Sequence, residues 1–507
     1  MKRREFLNTS LHGSLAASIS MFVPAGLLAS ELPADITELS ASKLSAAIRD
    51  RQVSCIEVMQ AYLQRIERYN PVYNAIVNLA EQDGLLDQAR RADVALDKGE
   101  YWGWMHGMPH AVKDLANVEG MITTSGSRIY ANRVAAADSS LVASVRGQGA
   151  IFIGKTNTPE FGLGSQTYNE VFGATGSAWN PALTAGGSSG GAACGLGTHM
   201  LPVADGSDMM GSLRNPGAFN NVIGFRPSKG RVGGGDPLNR GLSTSGPMGR
   251  NTEDTIRLLL SIAGPVSGEP NVMRYSLPEA EQFTPLNLQD IKIGWMGDFE
   301  KYLAMEAGVL DVCESSLNLL ETAGAKVEHC MPNFDMAELW RTWVDLRNLG
   351  RSGSQSMYDD PAQRALLKPE YIWEIEQSLV LTARQINDAG NARARWYQEV
   401  VHLLEQFDFL VLPTAQVFPF SKDIHWPTEI AGKKMDTYHR WMEVVIPASL
   451  AGNPVVNVPA GFDAQGRPMG IQVMGRFGED KKVLEFALAY EQVTDFLQQR
   501  PNLVATD

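Results

Sequence analysis

Apolar residues recur at two different periods along this chain. Leu44, Ala47 and Ile48 form one stripe at helical spacing, and Ile56, Val58, Met59, Tyr62, Leu63 and Ile66 form another. They predict two helices, the second stopped at Asn70-Pro71, because proline lacks a backbone donor and disfavours helix in the residue before it. Short, largely apolar runs follow: "AIFIG" from Ala150, "IKIGW" from Ile291, "FLVLP" from Phe409, "PVVNVP" from Pro454 and "GIQVMG" from Gly470. These read as buried strands, separated by helical segments such as "VLDVCESSLNLLETAGA" from Val309. Strands alternating with helices predict an α/β fold around a large, mostly parallel sheet with helices on both faces. The stretch from about residue 265 to 434 has fewer glycines and a more helical pattern, and reads as an insertion that caps a site. No internal repeat and no linker divides the chain.

The first thirty residues break the pattern. "MKRREFLNTS" groups Lys2, Arg3 and Arg4 ahead of Phe6 and Leu7, and residues 11–30 carry no Asp, Glu, Lys or Arg. A basic start, a short apolar stretch and small residues at Ala29 and Ser30 make an export signal, and paired arginines before Phe-Leu make it the twin-arginine type. Ser14, Ser18, Ser20 and Pro24 interrupt the run, which argues against a membrane anchor. The expectation is therefore a signal over residues 1–30, transient contact with the twin-arginine export machinery, and a periplasmic or secreted product. Residues 31–507 would form one domain, opening with helices over residues 31–80.

Composition narrows the remainder. With 44% hydrophobic and 20% charged residues the chain is globular, and its formal net charge of −13 is the reverse of what a nucleic-acid binder needs. Cys55, Cys194, Cys313 and Cys330 are scattered with no CxxC pair, so no metal cluster is indicated, and a chain folded before export has no need of a disulfide. Nothing in the pattern sets an oligomeric state.

The stretch "AGGSSGGAAC", Ala185 to Cys194, carries the densest chemistry. A flexible linker would sit in polar surroundings, whereas "AACGLG" looks like a buried helix start. A phosphate loop is matched outright by "GAIFIGKT", Gly149 to Thr156, but Ile151, Phe152 and Ile153 are strand core and unsuited to curling around a phosphate. A nucleophile elbow fits G-x-S-x-G at Ser188 or Ser189, yet "WNPALTA" before it reads as a loop, not a strand. His199, His329, His402, His425 and His439 follow without a suggestive setting. "SASK", Ser40 to Lys43, fits S-x-x-K but lies at a helix start.

Two further segments bear on the choice. "HAVKDLANVEG" holds Lys113 beside Asp114, and "ADGSDMMGSLRNPGAFNNVIGFRPSKGRV" holds Ser212 after a loop of small residues. The order Lys, Gly-Gly-Ser-Ser-Gly-Gly, then Asp-x-x-Gly-Ser-x-Arg resembles the amidase signature family. Lys113 precedes Ser188 by 75 residues, and Ser188 precedes Ser212 by 24. "GKTNTPEFG" from Gly154, "ASLAGNPVVNVPAGF" from Ala448 and "MGIQVMGRFGED" from Met469 extend the likeness over nearly the whole mature chain.

The resemblance implies an amidase-signature fold, with a large mixed sheet, and hydrolysis of a carboxylic amide to acid and ammonia or amine through an acyl-serine. It makes Ser212 the nucleophile and Lys113 the base, acting through Ser188 after a cis peptide. A lysine serves as base only when burial lowers its pKa. Backbone N–H groups of Met209, Met210 and Gly211 would form the oxyanion hole. Met210 stands where the family commonly has glycine, which bears on pocket shape. Asp208 and Arg214 would hold the loop, and Ser189 would support the nucleophile. No metal or organic cofactor is implied; the partner is a small-molecule amide, with no nucleic acid. The alternatives are the amidase component of an amidotransferase, against which the export signal argues, and a non-catalytic binding protein, against which the intact Lys113, Ser188 and Ser212 argue.

Overall fold

The computed structural model describes residues 32–234, 241–266, 269 and 271–505. The expected signal, with Arg3 and Arg4, lies outside the described residues. From Asp35 onward the chain forms one compact unit.

The two predicted N-terminal helices are Ala41–Arg49 and Cys55–Tyr73. Ser40 caps the first, its hydroxyl accepting from the Lys43 N–H, so the S-x-x-K match is a helix cap. The second runs three residues beyond Asn70. Pro71 falls inside its last turn, and the Asn74 N–H closes the end on the Asn70 carbonyl at 2.7 Å.

Among the described residues fifteen strands follow in chain order: β1 (Ile76–Val77), β2 (Pro109–Lys113), β3 (Ile151–Thr156), β4 (Gly176–Ser177), β5 (Asn180–Thr184), β6 (Ala204–Asp208), β7 (Ile223–Arg226), β8 (Thr244–Gly249), β9 (Lys292–Trp295), β10 (Lys326–His329), β11 (Phe409–Pro413), β12 (Glu429–Ile430), β13 (Lys433–Lys434), β14 (Val455–Phe462) and β15 (Pro468–Met474). All five apolar runs form strands, namely β3, β9, β11, β14 and β15. The "GKT" of the phosphate-loop match ends β3, and Lys155 is buried there with its ammonium on the Ala116 carbonyl. The segment read as a loop before Ser188 contains β5, which is held by pairing with β4 rather than by any apolar pattern.

The eight-stranded sheet has the order β10-β9-β11-β15-β14-β7-β8-β6, beside a three-stranded sheet β1-β3-β2. The α/β class and the large mixed sheet are as expected. Strand direction is more mixed than the apolar runs implied: β10–β9 and β9–β11 are parallel, while the ladders from β11 to β6 are antiparallel. Parallel neighbours need a crossover, as the helix Val309–Thr322 provides between β9 and β10. A tight turn joins β14 to β15 and leaves only antiparallel pairing available. Every residue of β15 and nearly every residue of β14 is buried, so both faces of the sheet centre are covered.

Candidate active site

Lys113 ends β2, and Ser207 and Asp208 end β6. In a regular strand His110 and Lys113, three apart, would face opposite sides. The β2–β3 register shifts between His110 and Ala111, with Ile153 of β3 as the extra residue, and both side chains reach β6. His110 Nε2 lies 3.0 Å from Asp205, and Lys113 Nζ lies 3.1 Å from the Ser207 hydroxyl.

The same ammonium donates to Ser188 Oγ and Ser189 Oγ, each at 2.8 Å. Lys113 is only 2% exposed. Burial lowers its pKa to about 7, against the opposing pull of Asp205 and Asp208. Asp114 does not pair with it; that carboxylate takes the Thr124 N–H and hydroxyl.

The peptide Gly187–Ser188 is cis, as the resemblance implies. A Cβ on Gly187 would stand 2.8 Å from the Gln166 backbone nitrogen, so the close approach of two chain segments requires glycine there. Ser189 starts the helix Gly190–Gly197, buried except at Gly197. Its contact with Ser212 is through the backbone, the Ser189 N–H donating to the Ser212 carbonyl at 3.3 Å, while its hydroxyl faces Lys113 and Ser207.

Ser212 sits in the turn between β6 and the helix Arg214–Asn220. Asp208 builds that turn. Its carboxylate accepts from the Gly211 N–H at 2.9 Å and the Leu213 N–H at 3.2 Å, and pairs with Arg214 and Arg226, all three side chains fully buried. Burial alone would raise the Asp208 pKa, but the two guanidinium groups hold it well below the ordinary carboxylate value. Arg214 continues to Ser449 Oγ at 2.7 Å and the Val445 carbonyl at 3.0 Å. Gly211 has φ of 79°, which favours glycine. Because its N–H is engaged by Asp208, Met209 and Met210 are the members of the expected oxyanion group whose N–H groups are not so held.

Ser188 and Ser212 line one cavity of about 220 Å³. Among the described residues no hydrogen bond joins their hydroxyls. Met209 and Met210 also face this cavity, so the methionine in the usual glycine position forms part of its wall. A larger cavity, about 650 Å³, reaches Lys113 and Ser207 but neither Ser188 nor Ser212.

Sequence reasoning missed Asp205 and Ser207, which the alternation of β6 puts on the Lys113 side, and Arg226, the second cation on Asp208. It also missed Arg347, Arg351 and His439 in the cavity wall. Of the histidines weighed for an elbow, only His439 reaches this cavity, and His199 pairs with Glu38 elsewhere.

A buried lysine clustered with serines at a chain turn is the apparatus of an acyl-transfer enzyme, and the comparisons agree: an amidase family model matches residues 57–484, and the protein is an amide-hydrolysing enzyme. The chain belongs to the amidase signature family. It is 29% identical to an acylamidase of Rhodococcus erythropolis, over 91% of this chain and 97% of that one. It is 31% identical to one component of the glutamyl-tRNA(Gln) amidotransferase of Symbiobacterium thermophilum, over 92% and 99%. Among solved structures, a bacterial aryl acylamidase of the same family superposes with a TM-score of 0.85 at 25% identity, covering 91% and 97%.

Proposed function

We propose that the enzyme hydrolyses a small carboxylic amide to the acid and ammonia or an amine, through an ester formed on Ser212. The observation that carries this reading is the buried Lys113 ammonium, its pKa lowered to about 7, lying 2.8 Å from Ser188 Oγ. Neutral Lys113 takes the Ser188 proton as Ser188 takes that of Ser212. Ser212 Oγ then attacks the amide carbon, and the oxyanion faces the Met209 and Met210 N–H groups. The protons return along the same path to the amide nitrogen, the C–N bond breaks, and ammonia or amine departs. Water, deprotonated by the same relay, cleaves the ester and releases the acid. Ser189 and Ser207 hold the Lys113 amine in place, and Asp208 with Arg214 holds the turn.

We also propose that residues 1–30 are a twin-arginine signal and that the mature enzyme acts outside the cytoplasm. "KRREFL" supports this reading over that of an amidotransferase component, whose partners are cytoplasmic.

The test is a panel of aliphatic, aryl and peptide amides, with ammonia and amine both measured, and labelling by a fluorophosphonate followed by peptide mass spectrometry. Turnover with the adduct on Ser212, and no labelling of Ser212→Ala, is the expected result. An adduct on Ser188 or Ser189 would overturn the assignment and make "GGSSGG" a nucleophile elbow. No turnover and no adduct would leave a binding protein on this fold.

A further inference from the structure

Part of the cavity wall comes from the region after residue 265. The helix Met336–Leu349 supplies Arg347, the turn after it supplies Arg351, and residue 439 supplies a histidine. Both arginines donate through Nε to one carboxylate, Glu374, on the helix Pro369–Leu379. Tyr438 donates to the same carboxylate and accepts from Arg347. Burial would raise the Glu374 pKa, but Arg347 and Arg351 hold it at about 2, so it stays ionised. Two cations therefore share one anion, and a positive charge is left over.

That surplus faces the cavity. Its wall contains Arg347 and Arg351 and no Asp or Glu, since Glu374 lies behind them. The Arg351 Nη1 and Nη2 groups have no hydrogen-bond partner among the described residues. His439 is 2% exposed, and neither of its ring nitrogens has a partner. It stacks on Tyr438 at 4.5 Å, with Trp340 at 5.2 Å, which fixes its ring. Burial and the neighbouring Arg347 keep the imidazole neutral, so one ring nitrogen offers an N–H and the other a lone pair. Buried polar groups are normally satisfied, and a cluster of unmet donors at a cavity wall calls for a ligand that completes it.

Arg347 spends its nitrogens on Glu374, Tyr438 and the Met209 sulfur, so it contributes charge, and the open donors are those of Arg351 and His439. We propose, on the reading of Ser212 as nucleophile, that the preferred substrate is an amide that also carries a carboxylate, held by Arg351 and His439 beside the charge of Arg347. The fork of a guanidinium matches a carboxylate in two parallel hydrogen bonds. A cavity of about 220 Å³ is smaller than the roughly 300–1,000 Å³ that takes drug-sized ligands, so the substrate is small: the monoamide of a short dicarboxylic acid fits the description.

The test compares the monoamide of glutaric acid with hexanamide, a neutral amide of matching length. Wild type is expected to favour the carboxylated amide at least tenfold in kcat/KM. Arg351→Gln should collapse that ratio at least tenfold, and Arg351→Lys should restore part of it. A merely structural Arg351 would lower both substrates together and leave the ratio unmoved. Glutarate should slow fluorophosphonate labelling of Ser212 in wild type and lose that effect in Arg351→Gln. Equal or better use of hexanamide, or no protection by glutarate while Ser212 still labels, overturns the carboxylate subsite alone. Absence of any Ser212 adduct removes the acyl-serine reading, and the subsite with it.

Discussion

Replacing Lys113 with methionine should affect activity and stability in opposite directions, and pH separates the two. The lysine is buried with a pKa of about 7, against an ordinary value of 10.5. Between those values the unfolded chain binds the proton more readily than the folded one, so this group opposes folding, and stability rises with pH as the proton leaves both states. Integrated over that interval, holding Lys113 as it is costs about 4 kcal/mol at pH 7 and about 2 kcal/mol at pH 9. Lys113→Met removes the cost at both pH values. Whatever the variant loses in hydrogen bonds to Ser188, Ser189 and Ser207 does not titrate and cancels in the comparison. Its stability advantage over wild type should therefore shrink by about 2 kcal/mol from pH 7 to 9. At about 1 kcal/mol/K for the unfolding entropy of a chain this long, that is a change of about 2 °C in the difference of the two Tm values, readable by scanning calorimetry. Wild-type kcat/KM should climb about tenfold from pH 6 to 8 as the amine becomes neutral, and the variant should keep under about 1% of it. A flat wild-type profile, together with a Tm difference that ignores pH, would refute the argument that burial makes this lysine a base.

Three further outcomes follow from other contacts. Asp208→Asn leaves Arg214 and Arg226 buried without their anion and should cost about 3–5 kcal/mol; a urea unfolding midpoint that barely moves would contradict it. Gly187→Ala puts a methyl 2.8 Å from the Gln166 backbone, so kcat should fall at least about tenfold as Ser188 is displaced; unchanged kcat would show that the segment yields freely. Arg3 and Arg4 changed together to lysine should keep the enzyme in the cytoplasm, and cell fractionation with normal periplasmic yield would dismiss the twin-arginine route.

The strands that could be read beforehand are those dense in apolar residues, because burial on both faces writes itself into such runs even where Lys292, Asn457 or Gln472 interrupts them. The strand that organises the site could not. β6 is "ADGSD", nearly devoid of apolar side chains yet largely buried, and its conformation comes from pairing with β8. Direction was equally hidden: an apolar run reports burial, whereas connections decide parallel or antiparallel. Lys113, Ser188 and Ser212 were found only because three separated motifs fell in a familiar order; taken singly, each had a bland reading. The assignment of Gly211 N–H to Asp208 depends on the turn's shape, which the residues do not spell. Arg347 and Arg351 stand on or next to an amphipathic helix, where arginine ordinarily marks a solvent face, and no motif singles them out.

Lys113 and Ser212, the proposed base and nucleophile, belong to different sheets. Lys113 ends a strand of the three-stranded sheet, and the Ser212 turn hangs from the edge strand of the eight-stranded one. Their meeting makes the enzyme self-interlocked. Were the seam between the sheets to open, water would reach the ammonium, its proton would be held about as firmly as on a free lysine, and the proposed relay would stop. Chemical competence would then report on the dryness of that joint, and a chain still folding, or one beginning to come apart, would be switched off with it. Closing the joint again restores the base with no covalent step to undo.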